Sequence, residues 1–367
     1  MFKYSTKTLG ALSAVTIAAG ALLSPTVASA VDFKGKTIEA VVAFKEGGGG
    51  SYYTRLYVPF FKKYLPGNPT VIVRHIPGGG SIKGSNWFHA NAKPDGSTYS
   101  VVSTSNLSSM VLGGKKVKYN LMDWSFIMLE PLGTVFYTRP ETGVKGKDVK
   151  ADTKILQNME VVSGAKSPTS SELHAFLVFD LLGIKNVKPV LGLSSGNQRK
   201  AILRGEINVK RDSTINYLTK VEKYVKKGTL VPWITLGYQK DGKIGRDPAF
   251  PNVPTVVEAY KAVNGGKAPS GIAFDTYMHF YHMAVTASKG FALPPKTPQA
   301  IVDAYVAAAK KINEDKEFIK KAGKLHGVYP ISYGADAKEG VRAAVGLTPQ
   351  AKEHVRKFIK KQFGLNM

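Results

Sequence analysis

The sequence predicts an α/β fold, and three observations carry that expectation. From residue 31 onward, short apolar runs rich in β-branched residues alternate with helical stretches, the pattern of sheets layered with helices. Two glycine-rich loops, Phe44–Ser51 (FKEGGGGS) and Ile76–Ser81 (IPGGGS), each stand between a strand and a helix. The same unit of strand, small-polar loop and helix then recurs at Met159–Leu182 and Asn186–Arg204.

The elements follow in order. Thr37–Phe44 (TIEAVVAF) reads as a strand, and Tyr52–Tyr64 as a helix whose Tyr53 and Tyr57, four residues apart, pack inward while Tyr52 sits beside the glycines. Thr70–Arg74 (TVIVR) is a second strand, and Ile82–Ala92 the helix after the second loop. A glycine loop ending at a helix start exposes several backbone N–H groups around one concavity, and the helix dipole adds partial positive charge there. Two such loops predict one site gripping a carboxylate or phosphate from two sides. Thr98–Ser103 is a third strand, entered through the turn Pro94–Ser97, with the polar loop Thr104-Ser105-Asn106 at its C-terminal end.

Further along, Met159–Ser163 reads as a strand, Gly164–Ser171 as a polar loop, and Glu172–Leu182 as an amphipathic helix stopped by Gly183. Asn186–Leu191, the loop Gly192–Asn197 (GLSSGN) and the helix Gln198–Arg204 repeat the unit. Thr276–Val285, aromatic and β-branched, reads as a strand. Thr297-Pro298 and Thr348-Pro349 mark the starts of two C-terminal helices, Thr as N-cap and Pro in the first helical position.

Residues 1–30 have the make-up of a secretory leader. Lys3 and Lys7 precede an apolar stretch, Leu9–Leu23, and Ala28-Ser29-Ala30 supplies small residues for cleavage after Ala30. The expectation is an exported, periplasmic chain. It contains no cysteine, which excludes thiol catalysis, thiolate metal sites and disulfides. The net charge is +25, and Lys3 and Lys7 are the only charged side chains of the leader, so the remainder carries +23. Such a charge draws anions from a distance. The basic residues are dispersed and no nucleic-acid motif is present, so nucleic acid is not an expected partner.

Three chemical motifs bear weighing. Gly192-Leu193-Ser194-Ser195-Gly196 matches the nucleophile elbow of serine hydrolases; Ser194 then needs an acid and a base, for which Asp212 or Asp275 and His282 or His326 stand downstream. His279 and His282 share a face on a helix and lie on opposite faces of a strand; the strand reading gives no metal site. Gly265-Gly266-Lys267 lacks the spacing of a phosphate-binding loop.

The loops resemble a known pattern. Val42–Arg55 (VAFKEGGGGSYYTR) looks like the first ligand loop and helix of the tripartite tricarboxylate transporter receptor family, also called Bug proteins. Leu65–Gly84 is similar to its second strand and P-G-x-G loop, Pro94–Ser97 to its P-D-G turn, and Ala201–Asn208 (AILRGEIN) to its A-L-x-x-G-E-V-D helix end. Phe250–Tyr260 (FPNVPTVVEAY) and Leu293–Pro298 (LPPKTP) resemble two further family segments. The matches run in order across nearly the whole chain after the leader.

The resemblance implies a two-lobe periplasmic binding protein of the type II, Venus-flytrap kind, with a ligand cleft between α/β lobes. Lobe one would take 31–133 and 273–367, and lobe two 134–272. It implies a monomer that captures a di- or tricarboxylate or an aromatic carboxylate and delivers it to integral-membrane transporter subunits, with no catalytic residue, cofactor or metal. Carried over by position, the first-lobe contacts are Gly48, Gly49, Gly50, Ser51, Gly78, Gly79, Gly80, Thr104, Ser105 and Asn106, with Tyr52 beside them. The second-lobe contacts are Ser167, Thr169, Ser170, Ser194, Ser195 and Asn208. Two positions depart from the family: Ser51 and Asn208 stand where it usually has Asp. Ser51 can still cap the helix. Either the lost charges favour a more highly charged anion, or both positions are structural. An exported hydrolase using Ser194 and a sensory receptor for an organic anion are the other readings.

Overall fold

Burial along each strand fixes its place in the sheets. The computed structural model describes residues 31–323 and 328–366; the leader, its cleavage site and His326 lie outside them. In β2 (Thr70–His75) exposed and half-buried positions alternate, as at the edge of a sheet. In β3 (Thr98–Ser103) all six residues are buried, as in a sheet's middle. β1 (Thr37–Val42) pairs in parallel with both. β4 (Ser125–Glu130), β12 (Lys289–Leu293) and β13 (Ser332–Tyr333) complete a six-stranded sheet in the order β13-β4-β12-β3-β1-β2, with β12 antiparallel to β3 and β4.

The chain leaves that sheet at Glu130 and within four residues begins β5 (Thr134–Thr138). β5 is the middle of a second sheet, antiparallel to β8 (Val209–Ser213) and β9 (Val231–Thr235). Beside it, β6 (Val161–Gly164) and β7 (Val187–Val190) pair in parallel, and β10 (Tyr238–Lys240) and β11 (Lys243–Gly245) form a hairpin.

Helices cover both sheets. In α1 (Gly49–Tyr64), Tyr53, Tyr57, Phe60 and Phe61 recur at the spacing of one helical face and are all buried. They meet Phe291 of β12, whose ring stacks on Tyr53 at 5.0 Å, and Tyr99 of β3, 5.1 Å from the ring of Phe61. α1 begins three residues earlier than its side-chain pattern suggests, because glycines carry no apolar signal. α2 (Ile82–Asn91) follows the second loop. The stretch Thr104-Ser105-Asn106 is the first turn of α3 (Thr104–Leu112) rather than a loop. Asn106 Oδ1 accepts from the Ser103 N–H at 2.9 Å, closing a capping box that starts the helix at once.

α4 (Val149–Gln157) starts on Asp148 as N-cap. α5 (Leu173–Leu181) is apolar all round instead of amphipathic, with Leu173 through Phe179 buried. It is covered on several sides: Phe179 meets Phe136 of β5 at 6.1 Å and Phe176 meets Phe363 of the last helix at 5.0 Å. α6 (Ser195–Arg204) takes in Gly196 and Asn197. The segment expected as a strand at 276–285 is helical: Gly271–Tyr281 is an α-helix, continued by a π turn, His282–Thr286. Tyr277, Phe280, Tyr281 and Ala284 are buried at helical spacing, so packing period overrides β-propensity. His279 and His282 therefore do share a face. No group of His, Cys, Asp or Glu among the described residues is arranged to hold a metal.

The last two helices are Gln299–Glu314 and Pro349–Phe363. Thr348 caps the second as expected, accepting from the Ala351 N–H. Thr297 does not cap the first. Its hydroxyl donates to the Pro294 carbonyl, and Pro298 takes the N-cap position. No described helix is long and apolar enough to cross a membrane.

Candidate functional site

Four helix starts open onto one cavity of about 160 Å³. At the first, Gly48 is the N-cap of α1 and Gly49 and Gly50 are its first residues; all three line the cavity with Lys45. Added side chains would press on neighbours there. A Cβ at Gly49 would lie 3.0 Å from Asn216 Nδ2, and one at Gly50 3.1 Å from the Phe44 ring. At the second, Pro77 through Ser81 line the wall ahead of α2. Gly78, Gly79 and Gly80 have φ of 148°, 56° and 74°, and Ser81 follows at 139°. Consecutive left-handed backbone is a conformation only a glycine run holds cheaply, and strain of this kind gathers at ligand loops. Ser103, Thr104 and Ser105 at the start of α3, and Ser194 and Ser195 at the start of α6, complete the ring. Helix N-termini converging in this way present free N–H donors and positive dipole ends to one small volume.

Ten of the residues expected from the sequence thus meet at the cavity: Gly48, Gly49, Gly50, Gly78, Gly79, Gly80, Thr104, Ser105, Ser194 and Ser195. Seven do not line it. Ser51 is buried inside α1 with its hydroxyl 3.4 Å from His75 Nε2, and the helix has no side-chain cap, so Ser51 is not its cap. Tyr52 is half-buried under Lys220, whose ammonium lies 5.6 Å from the ring. Asn106 is turned inward by its capping box and donates to Ser85 Oγ at 2.7 Å. Ser170 turns toward its own loop, where its hydroxyl donates to the Ser167 carbonyl and Glu172, and the Ser167 hydroxyl, buried with no hydrogen-bond partner among the described residues, faces Gly80 of the second glycine loop. Thr169 receives hydrogen bonds on its carbonyl from Ser108 and Ser109 of α3. Asn208 ties β6 to the start of β8, accepting from the Val162 N–H at 2.8 Å and donating to the Glu160 carbonyl. The two positions that depart from the family's aspartates are thus both engaged away from the cavity.

Its electrostatics come from residues the motif search passed over. Lys45, Lys166, Arg211 and Lys289 line it as cations, and Glu172 and Asp212 as carboxylates. Burial opposes ionisation of Glu172, but the Lys166 and Arg211 cations hold it below the usual carboxylate range. Asp212 is held low against its burial by Lys210 at 2.8 Å and Arg199 at 3.0 Å, and it accepts from the Tyr137 hydroxyl. Burial pushes Lys210 down to about 8 and Lys289 down to about 7. A signal for Lys210, Arg211 and Asp212 was present: β8 reads Val-Lys-Arg-Asp-Ser, three consecutive charges in a strand whose flanks are buried. Charges are placed inside a sheet only at a cost, so such a run points to a site.

Among the described residues, no hydrolase triad assembles around Ser194. Ser194 Oγ accepts from the Asn197 N–H at 3.3 Å as the cap of α6. No histidine among the described residues lines the cavity, and Asp212 is held by its cations and by the Ser195 hydroxyl. His282, nominated as a base, lies instead on a groove with Asp275 and His279.

No protein-family model matches the chain, and no curated protein matches it. Solved structures do. The chain is similar to the periplasmic binding protein BugD at 18% identity, over 88% of this chain and 97% of that one, with a TM-score of 0.68. It is similar to MatC from Rhodopseudomonas palustris, solved with bound malate, at 18% identity over 88% and 99% of the two chains, TM-score 0.65. A TctC solute binding protein from Polaromonas aligns at 20% identity over 88% and 98%, TM-score 0.56. These neighbours carry the names of the family whose loop pattern the sequence resembles. The likeness shows a shared fold, the two-lobe α/β architecture of periplasmic binding proteins.

Proposed function

We propose that this chain is a periplasmic solute-binding protein of the tripartite tricarboxylate transporter receptor family, which captures a small organic carboxylate and delivers it to integral-membrane transporter subunits. The observation that carries this reading is the convergence of four helix starts on one cavity lined by more cations than carboxylates. Neutral N–H donors and positive dipole ends suit an anion whose oxygens need several short hydrogen bonds at once. The fold shared with MatC, a protein solved with malate, supports the ligand class. In this reading lobe one takes 31–133 and 273–367, and lobe two 134–272. The leader is removed after Ala30, the chain works as a monomer without nucleic acid, and it performs no covalent chemistry.

The test is a thermal-shift panel of carboxylates, neutral sugars and amines on protein freed of carried-over ligand. A ligand at 100 times its dissociation constant adds about 2.7 kcal/mol to stability, a readily measured rise in Tm. A carboxylate should give that rise. A panel in which only sugars or amines do so overturns the reading.

A further inference from the structure

Charge around the cavity does not balance, and the imbalance is unevenly placed. Glu172 is taken by Lys166, and Asp212 by both Arg199 and Lys210. Three cations remain on the wall without a salt bridge among the described residues; Lys45 is exposed to solvent, and the two withdrawn from it are Lys289 and Arg211. Lys289 is 8% exposed, and its ammonium reaches only the Ser288 carbonyl, at 3.2 Å. Arg211 is half-buried, has a buried Nε with no acceptor, and is stabilised by Glu172 only from beyond salt-bridge distance. They belong to different sheets, Arg211 to β8 and Lys289 to β12, yet stand close enough for each to feel the other. Arg211 is the cation that most strongly disfavours the charged form of Lys289.

A cation withdrawn from water without a salt bridge is costly, and two lining one cavity also repel. A neutral ligand leaves both costs in place, and a single carboxylate relieves one cation only. An anion with two or more negative charges relieves both and bonds the two sheets through itself. The glycine loops accept any carboxylate, because their donors are uncharged; discrimination between singly and multiply charged ligands needs the cations.

We propose that Arg211 and Lys289 are the specificity-determining residues of this site: an unpaired cation from each sheet, together selecting a ligand with at least two negative charges and holding the walls of the cavity together only when such a ligand is bound. The proposal rests on the solute-binding reading above and says which carboxylates that reading admits.

The test compares succinate and terephthalate, each with its own half-amide, which keeps length and shape but removes one charge. Inorganic phosphate is a third probe. Affinities are measured by calorimetry on the native protein and on Lys289→Gln, Lys289→Arg and Arg211→Gln, each checked for native circular dichroism and Tm. The native protein should bind a diacid at least about tenfold more tightly than its half-amide, the scale of one charge-assisted hydrogen bond. Lys289→Gln and Arg211→Gln should shrink that ratio to about twofold or less, with half-amide affinity little changed, and Lys289→Arg should restore it. Half-amides binding as tightly as diacids to the native protein, or a ratio that survives in both Gln variants, overturns the proposal and leaves the carboxylate reading standing. Binding of phosphate alone, lost in both Gln variants, keeps the charge rule and overturns the carboxylate reading. Binding of none of the probes overturns both.

Discussion

Lys289 titrates where an anion would be held. Burial is the main cause of its descent to about 7, the Arg211 and Lys166 cations add to it, and Glu172 opposes them. Glu130 is the register partner of Lys289 across β4 and β12, its carboxyl set against Tyr53, and burial lifts it to about 7 as well, eased by the Tyr53 hydroxyl. Dicarboxylate affinity should therefore fall as pH rises from about 6 to about 8.5, because the ammonium that meets the anion is lost. At pH 8, binding should draw a proton onto Lys289. Calorimetry in two buffers of different ionisation enthalpy measures that uptake; Lys289→Met should abolish it and Glu130→Gln should leave it. Proton uptake unchanged in Lys289→Met would assign the titration to another group. The sign for stability is the reverse. The unliganded fold depresses Lys289 below its unfolded value of about 10.4, so from about pH 7 to about pH 10 the unfolded chain holds the extra proton and stability rises with pH. At this scale the sequence was half legible. Glycines and small polar residues at strand-to-helix junctions announce themselves by spacing. Lys289 does not, because one lysine in a chain with 51 lysines and arginines carries no signal until a sheet buries it, and Arg211 is marked only by its place in the charged run of β8.

The second glycine loop is an element whose shape matters more than its atoms. A side chain at Gly79 would find room, since its nearest contact is Ile82 Cβ at 3.5 Å; only its φ of 56° opposes one. Gly80 is constrained twice, by a φ of 74° and by Ser167 Oγ 2.4 Å from where a Cβ would stand, with Ser170 Cβ at 3.2 Å. Gly80→Ala should thus wedge this loop away from the Ser167–Ser170 loop, weakening carboxylate binding by about tenfold or more while the fold persists, at a backbone cost of about 1 kcal/mol. Affinity beside Tm decides it, and native affinity in the folded variant would show that the two loops need not touch. Element reading from sequence succeeded where period and caps agreed, as in β3 or the helix after Thr348. It failed at Thr276–Val285, where aromatic composition suggested a strand and the buried positions fell at helical spacing. It failed in part at α5, where burial on several sides removes the polar face that marks an amphipathic helix.

Across the whole molecule, the two sheets are clasped around the cavity by hydrogen bonds between their attached elements. Ser108 Oγ donates to the Thr169 carbonyl at 2.8 Å, the Ser171 N–H to Ser105 Oγ at 3.0 Å, and Arg199 Nη2 to the Gly47 carbonyl at 2.5 Å. Replacing Ser108 and Ser109 together with alanine removes a clasp without touching the cavity wall. At about 1 kcal/mol for a net hydrogen bond, ligand affinity should drop about fivefold, and small-angle scattering with saturating ligand should still show the compact form. A variant that binds as the native protein does would mean that the clasp contributes nothing to closure. The α/β alternation was enough to foresee layered sheets, but not that the strand in the middle of the larger one comes from near the end of the chain. β12 lies between β3 and β4, and more than half the chain is synthesised after β3 before it exists. Until it arrives, β3 has one open edge and β4 has no neighbour on that side. Ordering this sheet means closing a very long loop, and contacts so distant in sequence form slowly. Time is the consequence: a newly made chain stays unset until its last third is finished, and during that interval it can still be threaded through a narrow channel as an extended strand.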